Sequence, residues 1–197
     1  MTFYGRKAFI AHFESISDSM ILSDFDLDNY IRSKRLVIEP FNDELIRENG
    51  LDLKLGNEIG IHNPELGPDF ILDPSNEEHL KKEYVITKSD ERLVIPPKAQ
   101  VLLTTHEYVE MPDNLMGFVE LRSSWARHGL SMPPTIIDAG FKGDITLEVI
   151  NNTDIGIALK PGLRFAHIIF AVTMNKVSNK YAGSYLNQRG IRTPKKI

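Results

Sequence analysis

The stretch Arg122–Glu148, RSSWARHGLSMPPTIIDAGFKGDITLE, decides the fold and carries most of the candidate chemistry. It follows an apolar, strand-like segment, so Ser123 or Ser124 stands where a helix would have its N-cap. Trp125–His128 can then form one helical turn that Gly129 ends. The free N–H groups of a helix start, two hydroxyls and two arginines favour an anion such as a phosphate chain. A capped turn with solvated arginines explains the same pattern.

The end of this stretch predicts a strand with one glutamate among apolar residues. A period of two places the side chain of Glu148 on the face opposite Leu147. The two faces are Ile145, Leu147 and Val149, and Thr146, Glu148 and Ile150. Loss of contact with water is expected to raise the pKa of the Glu148 carboxyl, which suits a group that shuttles protons. A solvated glutamate on an edge strand is the alternative.

The segment between these two parts contains a second acid, Asp138, after two isoleucines and before Gly140. Such an acid either forms a turn or is a carboxylate held in an apolar wall. Turn formation is the commoner role of aspartate in this setting.

Three segments in register resemble the dCTP deaminase and dUTPase superfamily. Its members carry an R-S-S-x-x-R phosphate segment, an I-D-x-G-[FW]-x-G turn and an I-x-L-E strand. All three occur here in that order, at Arg122–Arg127, Ile137–Gly143 and Ile145–Glu148. Upstream, Asn49–Gly56 is similar to the family segment N-G-x-D-L-R-L-G. The spacing between the acidic turn and the glutamate strand is that of the deaminases, and the pattern resembles archaeal-type members.

The C-terminal segment extends the resemblance. Family members carry a Y-x-G-K-Y-x-x-Q segment that folds over the bound triphosphate, and Tyr181, Tyr185 and Gln188 match it. Ser184 stands where the family often has lysine, which removes one positive contact with phosphate. Without the resemblance, this polar tail is typical of a frayed terminus.

The resemblance implies a single-domain, mostly β fold of the dUTPase-like type, a distorted jelly roll or β-barrel with a few short helices. It implies a homotrimer with active sites between subunits. Glu148 is then the catalytic base, and Ser123 and Arg127 position it, the water and the cytosine. Mg²⁺ is expected to bind through the nucleotide triphosphate, without direct protein ligands. The residues implied in nucleotide binding are Arg122, Ser123, Ser124, Arg127, Asp138, Thr146, Leu147, Glu148, Tyr181, Ser184, Tyr185 and Gln188.

The resemblance implies deamination of dCTP to dUTP and ammonia, and dTTP is a candidate inhibitor. A dUTP diphosphatase is the alternative, with Asp138 positioning water and Mg²⁺ polarising the phosphates. An enzyme that performs both steps, forming dUMP, and a non-catalytic nucleotide-binding protein on the same fold stay open. Glu148 favours the deaminase. The short segment before Asp138, with Pro133 and Pro134, is similar to archaeal sequences described as dUTPases.

Composition sets bounds on these functions. The chain has 197 residues, a formal net charge of -4 and no cysteine. Its length predicts one domain. The usual start of the resembling family corresponds to Met20, so the resemblance implies a domain at 20–197 preceded by an N-terminal extension at 1–19. The charge gives no global attraction for nucleic acid, and no apolar run is long enough to cross a membrane. Zinc-dependent nucleoside deaminases need a P-C-x-x-C pair, so zinc catalysis of that type is excluded. The absence of cysteine is consistent with a cytoplasmic location.

The remaining pattern predicts many short strands with turn signals and little helix, which favours a barrel or sandwich. Ser23 is expected to cap a helix that runs to about Ser33. A longer strand is expected at Phe165–Val172. Residues 61–92 are rich in turn-forming residues and are interpreted as a long surface loop.

Overall fold

Antiparallel strands dominate the structure, a computed structural model that describes residues 20–197. The predicted extension at 1–19 lies outside the described residues. The strands are β1 (Val37–Glu39), β2 (Ile46–Arg47), β3 (Gly50–His62), β4 (Tyr84–Lys88), β5 (Leu93–Ile95), β6 (Gln100–Glu110), β7 (Leu115–Leu121), β8 (Leu130–Ser131), β9 (Thr135–Ile137), β10 (Lys142–Asn151), β11 (Ile157–Leu159) and β12 (Arg164–Val172). The helices are α1 (Asp24–Arg32), α2 (Glu77–Glu83) and α3 (Ser123–Ala126), with a 3₁₀ turn at Asp43–Leu45. The prediction of a mostly β fold with a few short helices is confirmed.

One sheet of ten strands curls into a partly closed barrel. Its order is β8-β10-β6-β3-β12-β7-β9, with β1 on β6 and with β2 and β4 on β3. Strand β3 is shared between the two halves, since its first part pairs with β12 at Leu51 and its last part with β6 at Ile59. Strands β5 and β11 form a separate pair. Strands β10 and β12, which lie on either side of β6 and β3 in the strand order, both contribute side chains to one core.

The core lies inside the curled sheet and is built from branched and aromatic side chains. Its largest fully buried members include Leu51, Leu53, Leu55, Phe165 and Phe170. The other face of β3 is also covered, and it carries two acids, Asp52 and Glu58, that are 2% and 8% exposed. A buried carboxylate is costly unless it is paired or hydrogen-bonded, so both acids need partners.

A slip in register interrupts the pairing of β10 with β6. Asp144 faces Tyr108, whereas Thr146 faces Thr104, so β6 carries two extra residues at this point. The hydroxyl of Thr105 fills the gap, because it accepts the N–H of Ile145 at 2.9 Å and donates to the carbonyl of residue 107 at 2.8 Å. The irregularity therefore leaves the N–H of Ile145 satisfied.

The predicted N-terminal helix is confirmed as α1. Ser23 is its N-cap, with its hydroxyl accepting the N–H of Asp26 at 3.3 Å and its own N–H donating to that carboxylate at 3.1 Å. This reciprocal pair satisfies two donors at the helix start, and Leu27 anchors the helix in the core. No helix within residues 20–197 combines the length and the apolar character that crossing a membrane requires.

The predicted surface loop at 61–92 is wrong in its second half, where α2 and β4 lie. Asn76 caps α2 by accepting the N–H of Glu78 at 3.0 Å, and Leu80 anchors the helix. Strand β4 pairs along the end of β3 but is mostly exposed. An exposed strand shows no alternation of apolar and polar residues, so period two cannot reveal it.

The predicted cap at Ser123 or Ser124 is also wrong. Helix α3 begins at Ser123, and Arg122 occupies the N-cap position without a side-chain cap hydrogen bond. The backbone of Arg122 is still extended, and its carbonyl already accepts the N–H of Trp125 at 2.9 Å. The helix therefore starts one or two residues earlier than expected, and neither serine hydroxyl is used as a cap.

Candidate active site

One cavity lies against the face of β10 that carries Glu148. Its volume is about 260 Å³. The predicted alternation is confirmed, since Leu147 and Val149 are fully buried while Thr146 and Glu148 line the cavity. The lining residues are Tyr84, Gln100, Leu102, Thr135, Ile136, Ile137, Asp138, Phe141, Ile145, Thr146, Glu148, Tyr181, Tyr185, Gln188, Arg192 and Pro194.

Glu148 is half-buried in the wall of this cavity rather than solvated. Burial raises the pKa of its carboxyl, and the polar influence of its own backbone N–H and of the Thr135 side chain opposes the rise only in part. A carboxyl of this kind takes up and releases protons nearer to neutral pH than an ordinary glutamate. Glu148 therefore has the property expected of a general base.

The acidic turn reaches the same cavity. Asp138 is exposed, and its carbonyl accepts the N–H of Phe141 at 3.1 Å in a turn where Gly140 adopts a φ of +85°. The turn is closed by backbone groups and not by the Asp138 carboxylate, as an Asx-type turn would require, and the Asp138 side chain lines the cavity. Phe141 packs edge-on against Tyr181, with 5.6 Å between ring centroids. The turn and the C-terminal segment are therefore held together beside the cavity.

The C-terminal segment forms a wall of the cavity and is not frayed. Gln188 is 4% exposed, and its side-chain amide donates to the carbonyl of Asp144. The N–H of Gly190 donates to the Asp144 carboxylate at 2.7 Å, and the N–H of Ile191 donates to Glu58 at 2.8 Å. Three residues of the predicted tail motif, Tyr181, Tyr185 and Gln188, line the cavity together with Arg192 and Pro194.

The arginine–serine segment does not reach the cavity of its own chain. Ser123, Ser124 and Arg127 are exposed on or beside α3, and neither they nor Arg122 line it. One chain therefore brings together only part of the predicted site.

A buried carboxylate holds Arg122 elsewhere. The Oδ1 atom of Asp52 lies 3.4 Å from Nε of Arg122 and 3.0 Å from Nδ1 of His167. Its Oδ2 atom lies 3.3 Å from Nη1 of Arg164. Asp52 thus has the partners that its burial requires, and it fixes the direction of the first arginine of the phosphate-like segment.

Two further predicted binding residues also lie away from the cavity. Leu147 is fully buried in the core, on the face of β10 opposite Glu148. Leu147 belongs to the motif because it precedes Glu148 in sequence, but its side chain does not line the cavity. Ser184 is exposed and does not line the cavity, so the position where the family often has a lysine contributes no side chain to the cavity lining.

Ten of the sixteen residues that line the cavity were not predicted as site residues, and three of them are Tyr84, Gln100 and Arg192. Tyr84 lies in the segment interpreted as loop, and Arg192 lies beyond the matched tail motif. Gln100 begins β6, and alternation along that strand places it on the same face as Leu102, which also lines the cavity. That alternation is the one signal that could have found Gln100.

Comparison with known proteins places the chain in a family. The model of the family described as dCTP deaminase-like matches residues 21–173. A dCTP deaminase of Caldivirga maquilingensis is 46% identical over 177 residues, covering 89% of this chain and 96% of that protein. A dCTP deaminase of Saccharolobus solfataricus is 44% identical over 176 residues, covering 89% of this chain and 92% of that protein. The crystal structure of 2′-deoxycytidine 5′-triphosphate deaminase from Agrobacterium tumefaciens is similar in fold, with a TM-score of 0.59 and 19% identity over 77% of this chain and 47% of that one. The chain belongs to the dCTP deaminase-like family.

Proposed function

We propose that this protein deaminates dCTP to dUTP and ammonia, with Glu148 as the general base. The observation that carries the proposal is the half-buried Glu148 carboxyl, which lines the cavity and has a raised pKa. The two archaeal relatives named dCTP deaminase align with nearly the whole chain and support the same reaction.

The chemistry needs one group that first accepts and then returns a proton. Glu148 takes a proton from water, and the resulting hydroxide adds to C4 of the cytosine ring. Glu148 returns this proton to N3. A second proton moves from the new hydroxyl to the amino group, the C4–N bond breaks, and ammonia leaves a C4 carbonyl behind. One water is consumed for each ammonia released, and a carboxyl poised near neutral pH suits both transfers.

The rest of the cavity is assigned to the sugar and the phosphates. Asp138 is proposed to bind the 3′-hydroxyl of the deoxyribose. Tyr181, Tyr185 and Gln188 are proposed to contact the triphosphate. Residues 20–197 contain no group of three or more His, Asp or Glu side chains placed to hold a metal ion. Mg²⁺ is expected to bind through the phosphate oxygens and to neutralise part of their charge.

The exposed position of Ser123 and Arg127 favours a site completed by a second copy of the chain. Three apolar residues lie side by side on adjacent strands. Phe118 on β7 pairs with Ile136 on β9 and with Ile169 on β12. Ile136 is 56% and Phe118 is 37% exposed. A contiguous apolar patch of this kind favours protein contact. Ile136 also lines the cavity, so a copy seated here would stand at its mouth.

Product analysis tests the reaction. The purified protein with Mg²⁺ is given dCTP or dUTP, and ammonia, diphosphate and the nucleotide product are measured. Ammonia and dUTP from dCTP are expected. Diphosphate from dUTP, with dCTP untouched, would instead establish the diphosphatase, and ammonia with dUMP would establish both steps.

Two variants test the role of Glu148. Glu148→Gln should lower ammonia release about 10²- to 10⁴-fold while nucleotide binding is kept. Glu91→Gln, at an exposed residue outside the cavity lining, is the matched control and should behave as wild type. Unchanged deamination by Glu148→Gln would exclude Glu148 as the base.

Mixing two inactive variants tests the shared site. If Arg127 acts on the cavity of a neighbouring copy in a trimer, Glu148→Gln and Arg127→Ala should complement each other. Random mixing should then restore about a quarter of the wild-type rate. The wild type is expected to sediment at the mass of three chains. Sedimentation at the mass of one chain, or no recovery of activity in the mixture, would contradict a site shared between subunits.

The cytoplasm stays our predicted location.

A further inference from the structure

The phenol of Tyr84 stands in the cavity wall without belonging to any of the matched motifs. Tyr84 is the first residue of β4 and pairs with His62, the last residue of β3. The two rings stack, with 4.4 Å between centroids and 30° between planes. The Tyr84 hydroxyl lies 3.2 Å from Nε2 of His62. The imidazole therefore fixes the direction of the single O–H of this phenol.

A buried acid lies opposite the other ring nitrogen of that imidazole. Glu83 is 6% exposed, and its Oε1 atom lies 4.0 Å from Nδ1 of His62. Its Oε2 atom has no hydrogen-bond partner among the described residues. A carboxylate opposite Nδ1 favours the proton on that nitrogen, because a lone pair there would be repelled. Nε2 then keeps its lone pair and accepts the hydrogen bond of Tyr84.

The phenol of Tyr84 stays protonated at neutral pH. Burial, with the charges of Glu83 and Glu148, raises the pKa of Tyr84 to about 12. Tyr84 and Glu148 both line the cavity, so the phenol stands in the same cavity as the proposed base. With its hydrogen committed to His62, the oxygen of Tyr84 has only lone pairs to offer a ligand.

We infer that Tyr84, oriented by His62 and Glu83, selects the substrate base by accepting a hydrogen bond from its exocyclic amine. This inference rests on the proposed deamination. The cytosine amine is a donor and fits an acceptor. The uracil carbonyl that replaces it presents lone pairs to lone pairs and is disfavoured. The same contact therefore favours dCTP over dUTP and helps the product to leave.

Binding constants measured without turnover test the inference. In the Glu148→Gln background with Mg²⁺, the dissociation constants of dCTP and dUTP are measured by calorimetry, and their ratio is compared between variants. Tyr84→Phe keeps the ring and should reduce the preference for dCTP about tenfold. Tyr108→Phe is the matched control, since its hydroxyl donates to Glu110 at 3.0 Å outside the cavity lining, and the ratio should not change.

His62→Phe is the second variant and acts through the orientation of the phenol. It keeps a stacked ring but removes the acceptor, so the Tyr84 hydroxyl can turn and donate to the uracil carbonyl. Binding of dUTP should tighten while Tyr84 itself is intact. If Tyr84→Phe fails to fold, this variant decides the question.

The measurements distinguish the role of Tyr84 from the proposed deamination. Ammonia release by the wild type together with an unchanged ratio in both variants would overturn the role of Tyr84 alone. Absence of ammonia from dCTP would overturn the proposed function and this inference with it. A fall in the ratio confined to the two variants, with the Tyr108→Phe ratio intact, supports the inference.

Discussion

Replacing Glu107 with glutamine is expected to stabilise the protein at alkaline pH. The Glu107 side chain is 1% exposed. Its Oε2 atom accepts the N–H of Lys54 at 2.7 Å, and its Oε1 atom has no hydrogen-bond partner among residues 20–197. Burial raises the pKa of Glu107 to about 7. The folded state therefore binds the proton of the Glu107 carboxyl more tightly than the unfolded chain does. The contribution of the protonated carboxyl to the free energy of unfolding is fully present below pH 4.5 and is lost as the pH rises through about 7.

The size of the effect follows from the shift in pKa from 4.5 to about 7. At about 1.4 kcal/mol for each pH unit, ionising Glu107 in the folded state costs roughly 3 kcal/mol. Glutamine cannot ionise, and its amide oxygen can still accept the Lys54 N–H. The advantage of Glu107→Gln over wild type should therefore grow by roughly 3 kcal/mol between pH 4.5 and 8. For a chain of this size, this corresponds to a change of about 6–12 °C in melting temperature.

Thermal and urea unfolding at several pH values, at one protein concentration, measures this difference. Glu44→Gln, at an exposed glutamate, is the control and should follow the wild-type profile. Parallel profiles of Glu107→Gln and wild type from pH 4.5 to 8 would refute the reasoning, because they would mean that Glu107 is not held neutral in the folded state.

Three further predictions concern the site. Asp52→Asn should destabilise the protein by about 2 kcal/mol in urea unfolding, since Arg122, Arg164 and His167 lose their carboxylate partner, and unchanged stability would remove Asp52 as an anchor. Because Glu148 must be ionised to act as a base and its pKa is raised, kcat/KM for dCTP should climb with pH through a midpoint above that of ordinary glutamate; a flat acid limb would contradict this. Gly190→Ala should detach the C-terminal segment, because φ is +64° and a Cβ would lie 2.5 Å from Glu58 Oε2; faster tryptic cleavage at Arg189 and weaker dCTP binding are expected, and wild-type protection would show that the segment accommodates the methyl group.

The parts of the fold that sequence could predict are those governed by local periodicity. Glu148 was placed correctly because strict alternation on β10 gives each side chain only two possible faces. The helix from Ser23 was predictable because its cap and first-turn acid lie within four residues of each other. The exposed strand β4 has no apolar face, so the same rule had nothing to detect there, although Asn76 before two acids was a usable helix-start signal.

The site was harder to predict because its residues come from distant segments. The C-terminal wall depends on Asp144 and Glu58, whose contacts with residues 190 and 191 no local pattern reveals. Tyr84 enters the cavity only because β4 pairs with the end of β3. The motif that contains Ser123 and Arg127 was found in sequence, but motif membership does not say which cavity a residue serves. Their roles stay predictions until the mixing experiment is done.

The slip in register between β10 and β6 limits which insertions and deletions related sequences can carry in these two strands. Two extra residues on β6 preserve the parity of the strand, so Thr104 and Tyr108 keep the facing that alternation assigns them. An insertion of one residue in β10 before Leu147 would reverse that parity and exchange Glu148 with Leu147 between the cavity and the core. Single insertions or deletions within residues 142–146 should therefore be excluded among active relatives.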